Sequence, residues 1–127
     1  MDKVEKKYKV VYAEDSKSIS TSVRFVLLNA GFDVIHFENG ANVVQEVQRI
    51  KPDIILLDND MPVKDGFTIL KELKSIDEIK NIPVIFFTTI NDKLKVVERL
   101  AQGAADFIVK DSRAISELVP RIKKHLK

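Results

Sequence analysis

The sequence predicts an α/β fold, a doubly wound five-stranded parallel sheet flanked by five helices. Three observations predict it. Five short β-rich runs alternate with five segments of helical period, in the order βαβαβαβαβα. Two of the runs, Ile54-Ile55-Leu56-Leu57 and Val84-Ile85-Phe86-Phe87, are unbroken apolar stretches, the pattern of strands buried on both faces. No long linker, repeat or low-complexity tract interrupts the alternation.

The elements follow in order. The first strand falls at 9–13. The first helix carries the stripe Ile19, Val23, Val26 and Leu27, whose spacing returns to one face of a helix. Asp15 is a candidate N-cap for it, and Asn29-Ala30-Gly31 is a C-terminal stop. The second strand covers 32–37. Asn39-Gly40 opens the second helix, with Val43, Val44, Val47 and Ile50 on its inner face. Lys51-Pro52 closes it, because the residue before proline disfavours the helical region. The third strand covers 53–57, and Ile69, Leu70, Leu73 and Ile76 mark the third helix. The fourth strand covers 82–88. Leu94, Val97, Leu100 and Ala101 mark the inner face of the fourth helix, which ends before Gly103. The fifth strand covers 105–109, and Ile115, Leu118, Val119, Ile122 and Leu126 mark the last helix. Pro120 lies within that stripe. Its missing N–H and its clash with the preceding turn predict a bent helix or a late start near Ser116.

The chain has 127 residues, a length that fits one domain with a real core. Hydrophobic residues at 45% and charged residues at 31% argue against a disordered chain. There is no cysteine, which excludes disulfides, thiolate metal sites and a cysteine nucleophile. No apolar run approaches the roughly 18 residues of a membrane span, and the start MDKVEKKYK lacks the apolar region of a secretory signal. A cytoplasmic location is the expectation. The net charge is +2, unevenly spread. The first nine residues hold four lysines against two acids, and the last seven hold four bases and no acid. Residues 10–120 therefore carry 13 bases and 17 acids, a net of −4. Solvated basic ends account for that distribution without nucleic acid.

In an open α/β sheet, ligands bind beyond the carboxyl ends of the strands. Glu14 and Asp15 follow the first strand, Asp58 and Asp60 the third, Thr88 and Thr89 the fourth, and Lys110 the fifth. Singly, each is ordinary: a helix cap, a turn residue, a surface lysine. Together they place several carboxylates, a hydroxyl and one ammonium on a single rim. Crowded carboxylates repel, and at least one would tend to hold a proton unless a cation intervenes. An oxygen-only donor set suits Mg²⁺, and the absence of His and Cys from the rim argues against zinc.

These residues resemble the receiver domain of bacterial two-component response regulators. The matching set is Glu14-Asp15, Leu56-Leu57-Asp58 followed by Met61-Pro62 and Asp65-Gly66, Thr88, Phe107 and Lys110. It covers the chain from about Lys9 to the last helix. The resemblance implies a flavodoxin-like strand order 2-1-3-4-5 and a single receiver domain over 1–127, with 1–8 as a basic leader and no output domain. It implies that Asp58 is the phosphoacceptor for a sensor histidine kinase or histidine phosphotransfer protein. Glu14, Asp15, Asp58 and the backbone carbonyl of Asp60 would hold Mg²⁺. Lys110 would pair with Asp58 at rest and with the phosphoryl group afterwards. Thr88 and Phe107 would form the switch. A downstream protein would dock on the face formed by the fourth helix, fifth strand and fifth helix, carried by Lys93, Val96, Arg99, Phe107 and Arg113. Such a domain is no conventional enzyme, but it catalyses its own phosphotransfer and slow autodephosphorylation.

Four positions depart from the family pattern. Asp111 follows Lys110 where proline is usual, which makes a cis bond there costly and offers Lys110 a competing acid. Phe107 has no phenol hydroxyl. Thr89 is bulkier than usual, and Asp60 adds an acid beside the site. The alternatives are a receiver-like interaction domain that is not phosphorylated, and a receiver detached from a larger regulator. An Asp-x-Asp phosphatase fits poorly, because Asp58-Asn59-Asp60 follows the third strand and runs into Met61-Pro62. A flavin or nucleotide module fits worse, because Glu14-Asp15-Ser16-Lys17 stands where a phosphate loop would lie.

Overall fold

The computed structural model describes residues 7–126, so the leader residues 1–6 and Lys127 lie outside the described residues. Five strands and five helices alternate: β1 Lys9–Ala13, α1 Lys17–Asn29, β2 Asp33–Phe37, α2 Val43–Ile50, β3 Ile54–Leu57, α3 Gly66–Lys74, β4 Val84–Thr88, α4 Lys93–Ala101, β5 Asp106–Val109 and α5 Ala114–His125. All pairings are parallel and the order is β2-β1-β3-β4-β5, as expected. Strands β2 to β5 begin one or two residues later than the sequence suggests. For β4 the reason is Pro83, which has no N–H for the ladder.

The unbroken apolar runs are the central strands. Every residue of β3 and β4 is buried, while the edge strand β2 is half-buried throughout. One core lies between the sheet and α1 and α5, with Tyr12, Leu27, Leu56, Phe87, Leu118 and Ile122 at its centre. The other lies under α2 and α3, with Val47, Leu57, Ile69, Leu73 and Phe86. Each fully buried Leu, Ile or Phe contributes about 1.5–3 kcal/mol from burial alone.

The caps explain where helices start and stop. Ser16, not Asp15, caps α1, its Oγ accepting from the Ile19 N–H at 3.5 Å. Asp65 and Asp92 cap α3 and α4, accepting from Thr68 N–H at 2.8 Å and Leu94 N–H at 2.9 Å. Lys51 ends α2 in the left-handed region with φ 49°, and Gly31 follows α1 with φ 94°. Helix α5 does not start late. Its first turn is built by Asp111, whose Oδ1 accepts from Arg113 N–H at 2.8 Å and whose carbonyl accepts from Ala114 N–H. Pro120 therefore lies well inside α5, on an exposed face.

Helix α4 reverses the expectation from its sequence. Leu94 is 77% exposed, Val97 61% and Leu100 43%, and Ala101 is exposed too. The inward positions are Val96 and Arg99, and Arg99 is only 5% exposed. The physical reason is a slot lined by aromatic rings and an amide. The Arg99 guanidinium lies 4.5 Å from the Phe67 ring centroid and donates to Asn59 Oδ1 at 2.9 Å. Arg99 thus does not belong to an open docking face. Lys93 and Arg113 are exposed, and Val96 and Phe107 are half-buried. Among the described residues no helix is long and apolar enough to cross a membrane.

Candidate functional site

The rim at the carboxyl ends of β1, β3 and β5 is fixed by backbone bonds that continue the ladder past the strands. Glu14 N–H donates to Phe37 O at 3.0 Å, Asp58 N–H to Ala13 O at 3.0 Å, and Lys110 N–H to Thr88 O at 2.8 Å. Glu14 and Asp58 follow Tyr12 and Leu56 by two residues, so all four project towards the α1 and α5 side. Glu14, Asp15 and Asp58 each offer a carboxylate oxygen, and these oxygens lie within 4.8 Å of one another. Glu14 is 1% exposed and Asp58 5%, while Asp15 faces solvent. Because Ser16 caps α1, the Asp15 carboxylate is not committed to the helix end.

Lys110 is the counter-charge. Its Nζ donates to Glu14 Oε1 at 2.5 Å and lies 3.5 Å from Asp58 Oδ2. The resemblance implies a pairing with Asp58; both contacts are present here, and the shorter is with Glu14. Asp111 does not compete for it, being occupied with Arg113 N–H. No peptide bond among the described residues is cis. Burial pushes the Glu14 carboxyl above its ordinary value and the Asp58 charge adds to this. Lys110 and the Ser16 N–H, which donates to Glu14 Oε2 at 3.3 Å, act the other way.

The other sequence-predicted residues have partners of their own. Thr88 is fully buried at the end of β4, and its Oγ1 accepts from Ile90 N–H at 3.4 Å. Thr89 is exposed beside it. Phe107 stacks on Phe86 with centroids 5.7 Å apart. The Asp60 side chain is exposed and lies outside the carboxylate cluster, its Oδ1 accepting from Asn59 Nδ2 at 3.2 Å. Gly66 lets the start of α3 pass close to this loop, since a Cβ there would lie 2.5 Å from Asp58 O. Gly40 meets the same loop, and a Cβ on it would overlap Lys64 O at 2.0 Å.

Four neighbours were not foreseen. His36 Nε2 donates to the Glu14 carbonyl at 2.9 Å, which fixes the proton on that nitrogen. Tyr12 is fully buried beneath the acids. Burial, then the charges of Glu14 and Asp58, pushes its phenol well above the usual range. Asn59 and Arg99 form the buried contact already described. Alternation along β1 would have placed Tyr12 inside, but nothing local in the sequence joins residues 59 and 99.

Three carboxylates against one ammonium leave two negative charges in a partly dry site. Oxygen-only donors with that residual charge fit a divalent hard cation such as Mg²⁺.

Known proteins resemble this chain over most of its length. Residues 10–123 match the response regulator receiver domain family. The chain is 32% identical over 108 residues to the chemotaxis protein CheY of Bacillus subtilis, covering 84% of this chain and 88% of that one. It is 34% identical over 122 residues to a protein-glutamate methylesterase/protein-glutamine glutaminase of Carboxydothermus hydrogenoformans, covering 92% of this chain but 36% of that longer protein. Among solved structures, the chemotaxis response regulator CheY4 of Vibrio cholerae superimposes with a TM-score of 0.86 at 29% identity. That match covers 95% of this chain and 100% of that one.

Proposed function

The chain belongs to the response regulator receiver domain family, and on that premise we propose that it is a phosphorylation-dependent signalling receiver with Asp58 as phosphoacceptor. The observation that carries the reading is the buried Asp58 carboxylate beside Glu14, Asp15 and the Lys110 ammonium. An Asp58 carboxylate oxygen attacks the phosphorus of a phosphohistidine on a sensor kinase or phosphotransfer protein. The P–N bond breaks, its electron pair stays on the imidazole nitrogen, and an aspartyl phosphate forms.

Glu14, Asp15, Asp58 and the Asp60 carbonyl would hold Mg²⁺, which supplies charge neutralisation at the phosphoryl oxygens when bound. Lys110 neutralises the acids at rest and turns to the phosphoryl group afterwards. Thr88 donates its hydroxyl to the same group, and Phe107 packs behind it. Water attack on the acyl phosphate gives slow autodephosphorylation. The altered site then biases the surface of α4, β5 and α5, where a downstream protein docks. The exposed stripe of Leu94, Val97 and Leu100 gives that surface an apolar element. A cytoplasmic location suits such a partner set.

The test is intact mass after incubation with acetyl phosphate and Mg²⁺. One added phosphoryl group is expected on the native chain and none on Asp58→Asn. Equal labelling of Asp58→Asn would overturn the assignment.

A further inference from the structure

We propose that Arg99 is a positioning residue that ties α4 to the peptide following Asp58, so that the acid-site loop and the exposed face of α4 move as one unit. The inference rests on the reading of Asp58 as phosphoacceptor for its signalling consequence, but its geometry is independent of it. Arg99 and Asn59 are 40 residues apart, and both are more than nine-tenths buried. The Asn59 side chain is engaged on both sides. Its Oδ1 accepts from Arg99 Nη2 at 2.9 Å and from Phe67 N–H at 3.2 Å, and its Nδ2 donates to Asp60 Oδ1 at 3.2 Å. Its carbonyl accepts from Gly66 N–H at 2.9 Å. One amide thus holds the loop that carries Asp58 and Asp60, the start of α3, and a side chain of α4.

Arg99 is held just as closely at its own end. Nη1 donates to the Lys95 carbonyl at 3.2 Å within α4. The guanidinium faces the Phe67 ring and lies 5.9 Å from Phe86, which stacks on Phe107. Among the described residues its Nε is buried without a hydrogen-bond partner and no carboxylate pairs with the guanidinium. A buried cation with only neutral acceptors is a costly way to add stability and an effective way to fix a geometry. The residues on the opposite side of α4, Leu94 and Val97, are the exposed apolar ones. Displacing Asn59 therefore pulls on Arg99 and turns that stripe.

The experiment follows backbone amide shifts by NMR in the native chain, Arg99→Leu and Arg99→Lys, with beryllofluoride plus Mg²⁺ as the phosphoryl probe. Lysine keeps the charge but not the fork, and it serves if the leucine variant does not fold. Amides of Asp58 and Lys110 should respond in all three proteins. Those of Leu94 and Val97 should respond fully in the native chain and be reduced roughly twofold or more in both variants. A purely structural role for Arg99 would not separate the two responses. A full α4 response in the variants overturns the proposal. If Asp58 and Lys110 do not respond in the native chain, the phosphoacceptor reading fails, and Asn59→Ala decides the coupling by itself. Displacement of Leu94 and Val97 amides by Asn59→Ala in the native background but not with Arg99→Leu upholds it. Equal displacement in both backgrounds overturns it.

Discussion

Replacing Lys110 by methionine removes the one cation that pairs with two buried acids among the described residues, while keeping most of the side-chain volume. In the native chain Nζ lies 2.5 Å from Glu14 and 3.5 Å from Asp58, and the three side chains are 11%, 1% and 7% exposed. Breaking a buried pair by deleting one partner costs about 3–5 kcal/mol, because an uncompensated charge is left behind. Lys110→Met should fall in that range in metal-free buffer. Glu14→Gln alone should cost less, since Lys110 still has Asp58. The double variant Lys110→Met/Glu14→Gln should recover about 2 kcal/mol relative to the sum of the singles, well outside the additivity of independent sites. Urea unfolding at neutral pH with EDTA reads all four proteins. Losses that add to within about 0.5 kcal/mol would refute the shared-ammonium reasoning.

Other expectations concern the frame around the site. Val63 has φ 73° in a tight turn closed by Lys64 N–H to Pro62 O at 2.9 Å, and it is 79% exposed. Val63→Gly relieves that conformation with little loss of packing and should raise stability by about 1 kcal/mol, read as a higher urea midpoint. Asp106 accepts from Arg121 at 2.6 and 2.8 Å, and Arg121 first and His125 next hold its carboxyl well below the usual carboxylate range. The folded pKa is depressed, so this stability is present above the unfolded value near about 4 and shrinks as pH falls below it. Asp106→Asn should cost about 1–2 kcal/mol at neutral pH, with a gap that narrows in acid; a gap constant from neutral to strongly acidic pH would contradict it. Leu94→Ala should change stability by less than about 0.5 kcal/mol, whereas Leu118→Ala should cost about 2–5 kcal/mol, both by thermal unfolding.

The rim was legible in the sequence because topology fixes it. Once β1, β3, β4 and β5 are recognised as parallel neighbours, Glu14, Asp58, Thr88 and Lys110 must share one edge. What periodicity does not carry is which side of an amphipathic helix meets the sheet. In α4 both the stripe of Leu94 and Val97 and the line of Val96 and Arg99 have helical spacing, and a slot beside Phe67 chose the second. Partner choice within the rim was likewise hidden. Whether Lys110 favours Glu14 or Asp58 depends on an ångström of side-chain reach, and whether Asp111 competes depends on a turn that spends its carboxylate on Arg113. The cap of α1 turned on one residue, Ser16 in place of Asp15, and that single step left Asp15 on the rim.

Tyr12 gives the molecule an optical property of its own. The chain has no tryptophan and two tyrosines, Tyr8 and Tyr12. Tyr8 is half-buried near the start of β1, whereas Tyr12 is sealed under the acid rim. An alkaline ultraviolet titration should therefore show a late step, because Tyr12 yields its proton only when the domain opens. The late step makes unfolding visible in absorbance without any label. Because Glu14 and Asp58 add to the barrier against the Tyr12 phenolate, neutralising either acid should lower that barrier within the folded domain, so that a chromophore already in the core reports the charge above it.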